Sequence, residues 1–171
     1  MSSARLPVRM PRQRSPGREK RENMETLIAE KKLAAEASRE RVWDLLGTLI
    51  FDSLEGLEKM EIIDENNFRA ELKAKVFGLP LTWYLRGEMT DISPPQSLSV
   101  KLAASSKWNL IAVVQKITFT LNSGGEGRST MSCVAVAEDL PPLIRWVFLS
   151  QVKSLAQQIF DSIENRLKQL A

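Results

Sequence analysis

Few side chains in this chain could do chemistry. Cys133 is the only cysteine among 171 residues and there is no histidine. Ser/His/Asp triads, Cys/His dyads and the commonest metal ligand are therefore excluded. A lone cysteine fits a reducing, cytoplasmic setting and reads as a small core residue rather than a nucleophile. Tyr84, Arg86 and Glu88 share one side of an alternating run and could meet as a polar trio. Alternation sets them opposite Trp83 and Met89, however, on the side that reads as solvated. Gly124-Gly125-Glu126-Gly127 is the one glycine-rich run. It lacks the Lys-Ser/Thr of a phosphate loop and lies between strand patterns, so it reads as a hairpin turn. These residues assign no catalytic side chain, no metal and no cofactor.

The elements that must position any site are easier to read. From Leu143 to Leu170, Phe148, Val152, Leu155, Ile159, Ile163, Leu167 and Leu170 recur at steps of three and four, widened by Leu149, Ala156 and Phe160. This predicts an amphipathic helix, roughly 40 Å long at 1.5 Å per residue, that needs a broad apolar partner. The partner is a set of strands. Phe68, Ala70, Leu72, Ala74 and Val76 alternate with charged residues, and Leu81, Trp83, Leu85, Gly87 and Met89 alternate with polar ones. Met24–Glu36, with Leu27, Ala29, Leu33 and Ala35 loosely alternating, suits a first strand with a helix as the open alternative, and strands are also expected over Leu57–Asp64, Ser97–Ala104, Ile111–Leu121 and Ser129–Ala137, with a loop over Asp91–Gln96. Leu98, Val100 and Leu102, then Val113, Ile117, Phe119 and Leu121, take the dry faces. Between the first two strands, Ser38 caps a short helix that Gly47 ends, and a second short helix follows over Leu49–Leu54. The fold class is α+β: a curved antiparallel sheet wrapped around a long C-terminal helix.

Charge divides the chain. The net charge is +3, but seven basic residues against two acidic ones give the first 22 residues +5 and leave the remainder at −2. The body thus has no electrostatic footprint for nucleic acid. Residues 1–23, rich in Arg, Pro and Ser, read as a disordered basic arm, and 24–171 as one domain. The arm is a plain extension or a tether to anionic lipid or RNA, and Met24 stands directly before the structured part.

The element order, with Ala37-Ser38-Arg39-Glu40-Arg41-Val42-Trp43-Asp44-Leu45-Leu46, Asp91-Ile92-Ser93-Pro94-Pro95 and Ile159-Phe160-Asp161-Ser162-Ile163, resembles the START-like helix-grip superfamily. Within it the chain is most similar to the carbon monoxide dehydrogenase G family, which is grouped with polyketide cyclase-like and coenzyme Q-binding proteins. The resemblance spans Met24 to Ala171, with Glu55-Gly56 where that family usually carries Pro-Gly. It implies a cavity between sheet and helix for a hydrophobic molecule such as a lipid, quinone or polyketide.

In such a fold the stripe of the last helix is either plain core or a pocket wall, because a strongly curved sheet leaves space beneath one helix. Trp83, Leu85, Met89, Phe119, Leu155 and Ile159 are the expected ligand contacts. Leu143, Trp146 and Val147 make the start of the helix apolar all round, which suits coverage by a loop, or else a gate or contact for a redox enzyme or membrane surface. The expected function is a non-enzymatic binding or carrier protein, accessory to a redox enzyme in one version. A cyclase or aromatase using the same cavity, with Tyr84 or Arg86 pointing inward, and an adaptor docking through Trp146 are the alternatives.

Overall fold

The computed structural model describes residues 25–54, 56–76, 78–107, 112–138, 140 and 145–170. The expected arm at 1–23 lies outside the described residues. In chain order the elements are β1 (Glu25–Ala35), α1 (Arg39–Asp52), β2 (Leu57–Ile62), β3 (Asn67–Val76), β4 (Leu79–Ser93), β5 (Ser97–Ser106), β6 (Ala112–Gly125), β7 (Arg128–Glu138) and α2 (Arg145–Lys168). The strands form one sheet in the order β1-β7-β6-β5-β4-β3-β2, with every neighbouring pair antiparallel. β1 and β2 are consecutive strands in sequence yet stand at opposite edges, and α1 makes the crossing.

Alternation sets the faces. Phe68, Ala70 and Leu72 of β3, Leu85 of β4, Leu98, Val100 and Leu102 of β5, and Met131, Cys133, Ala135 and Ala137 of β7 are all buried. Between β2 and β3 the Asp64 carboxylate accepts hydrogen bonds from the Asn66 and Asn67 backbone N–H groups and from the Asn67 side chain, at 2.8–2.9 Å. These bonds close the turn and hold the Asp64 carboxyl below its ordinary value. In β1 a register shift between Leu27 and Ala29 changes the phase, so Ile28 is buried while Leu27 is exposed. β4 continues to Ser93, through a stretch expected to be loop, by a register shift after Thr90 with Asp91 at φ 50°.

The sequence predicts two short helices after β1, and the structure has one. α1 runs 14 residues. Its cap is the expected Ser38, whose Oγ accepts from the Arg41 N–H at 3.3 Å. Val42, Leu46, Leu49 and Ile50 form one buried stripe that passes Gly47. Gly47 itself is exposed, and burial of the stripe outweighs the roughly 1 kcal/mol that a glycine costs inside a helix.

α2 lies on the sheet with Ala156, Ile159, Phe160, Ile163 and Leu167 buried. Its rotation is held at the edge of the sheet. The Lys31 ammonium of β1 bonds Asp161 at 2.6 Å and Glu164 at 2.5 Å, and Arg166 reaches Asp52 at the end of α1 at 3.1 Å. A further contact closes the core from the other side. The Phe68 ring lies over Gly87, where a Cβ would fall 2.0 Å from it, and meets the Phe51 ring edge-on at 4.9 Å.

Candidate functional site

Space remains between the helix and the sheet. A cavity of about 600 Å³ lies between the first half of α2 and strands β3 to β6. Its sheet wall is made of inward positions on four neighbouring strands: Leu72 of β3, Trp83 and Leu85 of β4, Leu102 and Ala104 of β5, and Val113 of β6. Period-two spacing along each strand and direct registry across them bring these side chains to one surface. Val152 and Leu155 of α2 face them, and Leu54 and Gly56 close one end. Gly56 has φ +80°, and a Cβ there would lie 2.3 Å from the Lys73 carbonyl oxygen. Its own carbonyl accepts the Lys73 N–H at 3.0 Å. The chain entering β2 can thus close directly onto β3 only with glycine at this position.

The polar groups divide into rim and interior. Among the described residues the titratable neighbours of the cavity are Lys73 and Lys75, both exposed. Lys73 pairs with Glu58 at 2.7 Å, and that hydrogen bond raises its ammonium above the ordinary value. Ser154 and Gln158 are exposed along the helix side. Gln115 is different: it lines the cavity from β6 and is 6% exposed. Its Oε1 is closed off from water and has no hydrogen-bond partner. Cys133 is fully buried in the core, and burial pushes its thiol up to about 12, so it stays a neutral packing group. Such a wall can desolvate an apolar molecule and offer it amide groups of Gln115 and Gln158 and hydroxyls of Ser150 and Ser154, and its lining holds no cysteine, histidine or carboxylate among the described residues.

No protein-family model matches the chain, and no curated protein does. Solved structures do. A conserved protein from Geobacillus kaustophilus superposes with a TM-score of 0.66 at 16% identity, over 82% of this chain and 94% of that one. A START superfamily protein from Mycobacterium smegmatis gives 0.57 at 13%, over 85% and 100%. An aromatase/cyclase from a Streptomyces species gives 0.55 at 13%, over 85% and 94%. The fold is the START-like helix grip.

The helix-grip cavity gathers some of the expected contacts and not others. Trp83, Leu85 and Leu155 line it. Phe119 and Ile159 are buried in the packed core, and Met89 packs against that core half-buried. Their faces are as expected, but their positions along the elements are not. Phe119 lies six residues beyond Val113, about 20 Å along the strand. Ile159 is a turn beyond Leu155, and Met89 is past the Phe68 ring that covers Gly87. Tyr84 and Arg86, the inward candidates of the cyclase alternative, are exposed on the outer face beside Arg69. Leu143 and the side chains of Trp146 and Val147 lie outside the described residues. No helix among the described residues is long and apolar enough to cross a membrane.

Sequence reasoning misses the lining residues Leu72, Leu102, Val113 and Val152, and Gln115 as the buried polar one. The dry face of β6 reads Val113, Ile117, Phe119, Leu121, and the position between the first two holds an amide. A polar residue at an inward position of an otherwise apolar alternation is the signal that could have found it.

Proposed function

We propose that this protein binds or carries a hydrophobic small molecule of the lipid, quinone or polyketide-like class in its helix-grip cavity. The observation that carries this reading is the cavity of about 600 Å³ with its wall of Leu72, Trp83, Leu85, Leu102, Val113, Val152 and Leu155. That volume falls within the range of about 300–1,000 Å³ typical of small-molecule sites. Affinity comes chiefly from apolar surface removed from water, about 25 cal/mol per Å². A cyclase would need an acid or base at the wall. The described lining offers Gln115 within and lysines at the rim, which favours carriage over catalysis. The similarity to the carbon monoxide dehydrogenase G family extends the proposal to delivery beside a redox enzyme, with Leu143, Trp146 and Val147 as the contact.

The test is uptake of diphenylhexatriene, a neutral apolar dye, by the full chain, together with solvent extraction and mass spectrometry of gently purified protein. Saturable dye fluorescence and a co-purifying hydrophobic molecule are expected. Absence of both would overturn the proposal.

A further inference from the structure

β2 ends the sheet, with β3 on one side and no described strand on the other. Its Met60 and Ile62 stand opposite Ala70 and Phe68, which are buried, yet they are themselves 43% and 59% exposed. The dry face of the sheet thus runs out past its last buried strand. Two bonds give the phase of the backbone. The Ile63 N–H donates to the Asn67 carbonyl at 2.9 Å, and the Met89 N–H donates to the Asn66 carbonyl at 2.7 Å. Bonded and non-bonded pairs alternate along an antiparallel ladder. Phe68 and Ala70 therefore turn their backbone groups to β4, and Met60 and Ile62 direct theirs to the open edge. Apolar residues with outward peptide groups on an edge strand are a template for another strand.

The charges of β2 narrow which strand fits. Outward-directed peptide groups bond only to their like, so a strand paired with its own copy about a two-fold axis slips between registers in steps of two residues. Centred on Lys59, the pairing sets Lys59 against Lys59. Centred on Glu61, it sets Glu61 against Glu61. Both place like charges directly opposite, which destabilises a sheet. Centred on Met60, it lays Met60 on Met60 at the dry face, and on the wet face sets each Lys59 against the Glu61 of the other copy. Lys59 is free to make that pair, since its side chain is 74% exposed and reaches its own Glu71 only at 3.3 Å. Glu58 falls opposite Ile62 and is already held by Lys73 of its own chain at 2.7 Å.

We infer that two copies of this chain associate through β2, antiparallel about a two-fold axis at Met60, with Lys59 of each copy paired to Glu61 of the other. The partner is a second copy because the run Lys59-Met60-Glu61 is its own complement in this orientation. Such an isologous contact closes at two, whereas pairing of β2 with β1, the opposite edge, would run head to tail and stay open. Two six-residue strands make a small interface, so the association is weak and set by protein concentration.

Sedimentation velocity of the full chain at low salt, from about 10 µM to 1 mM, tests it. A monomer–dimer equilibrium is expected, with amide hydrogen exchange at Met60 and Ile62 slowing as the dimer fills. Lys59→Glu and Glu61→Lys are each expected to weaken self-association about tenfold or more, since each turns both symmetry-related pairs repulsive. Mixed in equal amounts, the two variants present opposite charges at both pairs again, and association close to that of the wild type is expected. The double variant Lys59→Glu/Glu61→Lys supplies the same restoration in one chain if a single variant folds poorly. A wild-type chain that stays monomeric throughout the range would overturn the inference. So would association that grows past dimers, that is indifferent to both single substitutions, or that does not return when the charges are made complementary again.

Discussion

From Ala156 to Leu167 the long helix presents Ala156, Ile159, Phe160, Ile163 and Leu167 to the interior, none more than 2% exposed. From Leu149 to Leu155 the same stripe continues through Leu149, Val152 and Leu155, and all three are only half-buried. The residue types hardly change between the two halves. What changes is the opposing surface. The second half is met by β1 and α1 and is tied there by Lys31 with Asp161 and Glu164 and by Arg166 with Asp52. The first half faces β3 to β6 across the cavity. One amphipathic pattern thus serves as core where another element closes on it and as a pocket wall where none does.

The largest expected effect comes from truncating each half. Phe160→Ala, at a fully buried position, should cost about 3–5 kcal/mol in urea unfolding. Leu155→Ala already borders empty space and should cost about 1–2 kcal/mol, since fewer contacts are lost there. Equal losses would erase the distinction between packed core and pocket wall.

Enlargement should separate the halves in the opposite sense. Ala156→Leu forces atoms into a filled interior and is expected to lose about 1–3 kcal/mol. Leu155→Trp, one residue earlier, has space to enter. It should hold stability within about 1 kcal/mol while weakening diphenylhexatriene binding about tenfold or more. Undiminished dye binding by a stable Leu155→Trp protein would place the bound molecule elsewhere.

The smallest effect concerns the edge clamp and is read from pH. Glu164 is held below its ordinary 4.5, chiefly by the hydrogen bond from Lys31. Its contribution to stability is therefore present above that value and lost as pH falls through the lowered one. Lys31 is raised above 10.5, chiefly by its hydrogen bond to Asp161, and then by that to Glu164. Its contribution is complete below 10.5 and lost as pH rises through the raised value. Lys31→Met should show a small, constant deficit in urea midpoint between these limits that shrinks on acidification. A deficit independent of pH down to the acid limb would mean that the lysine stem, not its charge, holds the helix.

Much of this was legible in the residues. The alternation in β3 and β4, the Ser38 cap, the glycine hairpin between β6 and β7 and the three-four spacing of α2 each reflect a local rule, and each appears in the fold at or near the expected residues. Local rules also account for the misreadings. Gly47 is a helix stop by propensity, and it yields to a stripe buried on both sides of it. Leu27 fits the alternation of β1, and a bulge turns it outward. Met89, Phe119 and Ile159 share faces with true lining residues, and a face does not say how far along it the interior is filled.

Composition and periodicity by themselves determined which side of each strand and helix would be dry, because that depends on residues two to four positions apart. The sequence likewise excluded histidine chemistry outright. Only the tertiary structure decided where α2 touches and where it stands away. That separation depends on sheet bulges, on Phe68 seated over Gly87, and on Lys31 gripping carboxylates 130 and 133 residues further along the chain. It also decided that the Oε1 of Gln115, on the dry face of β6, would be closed off from water without a hydrogen-bond partner. Its partner, or lack of one, comes from other elements.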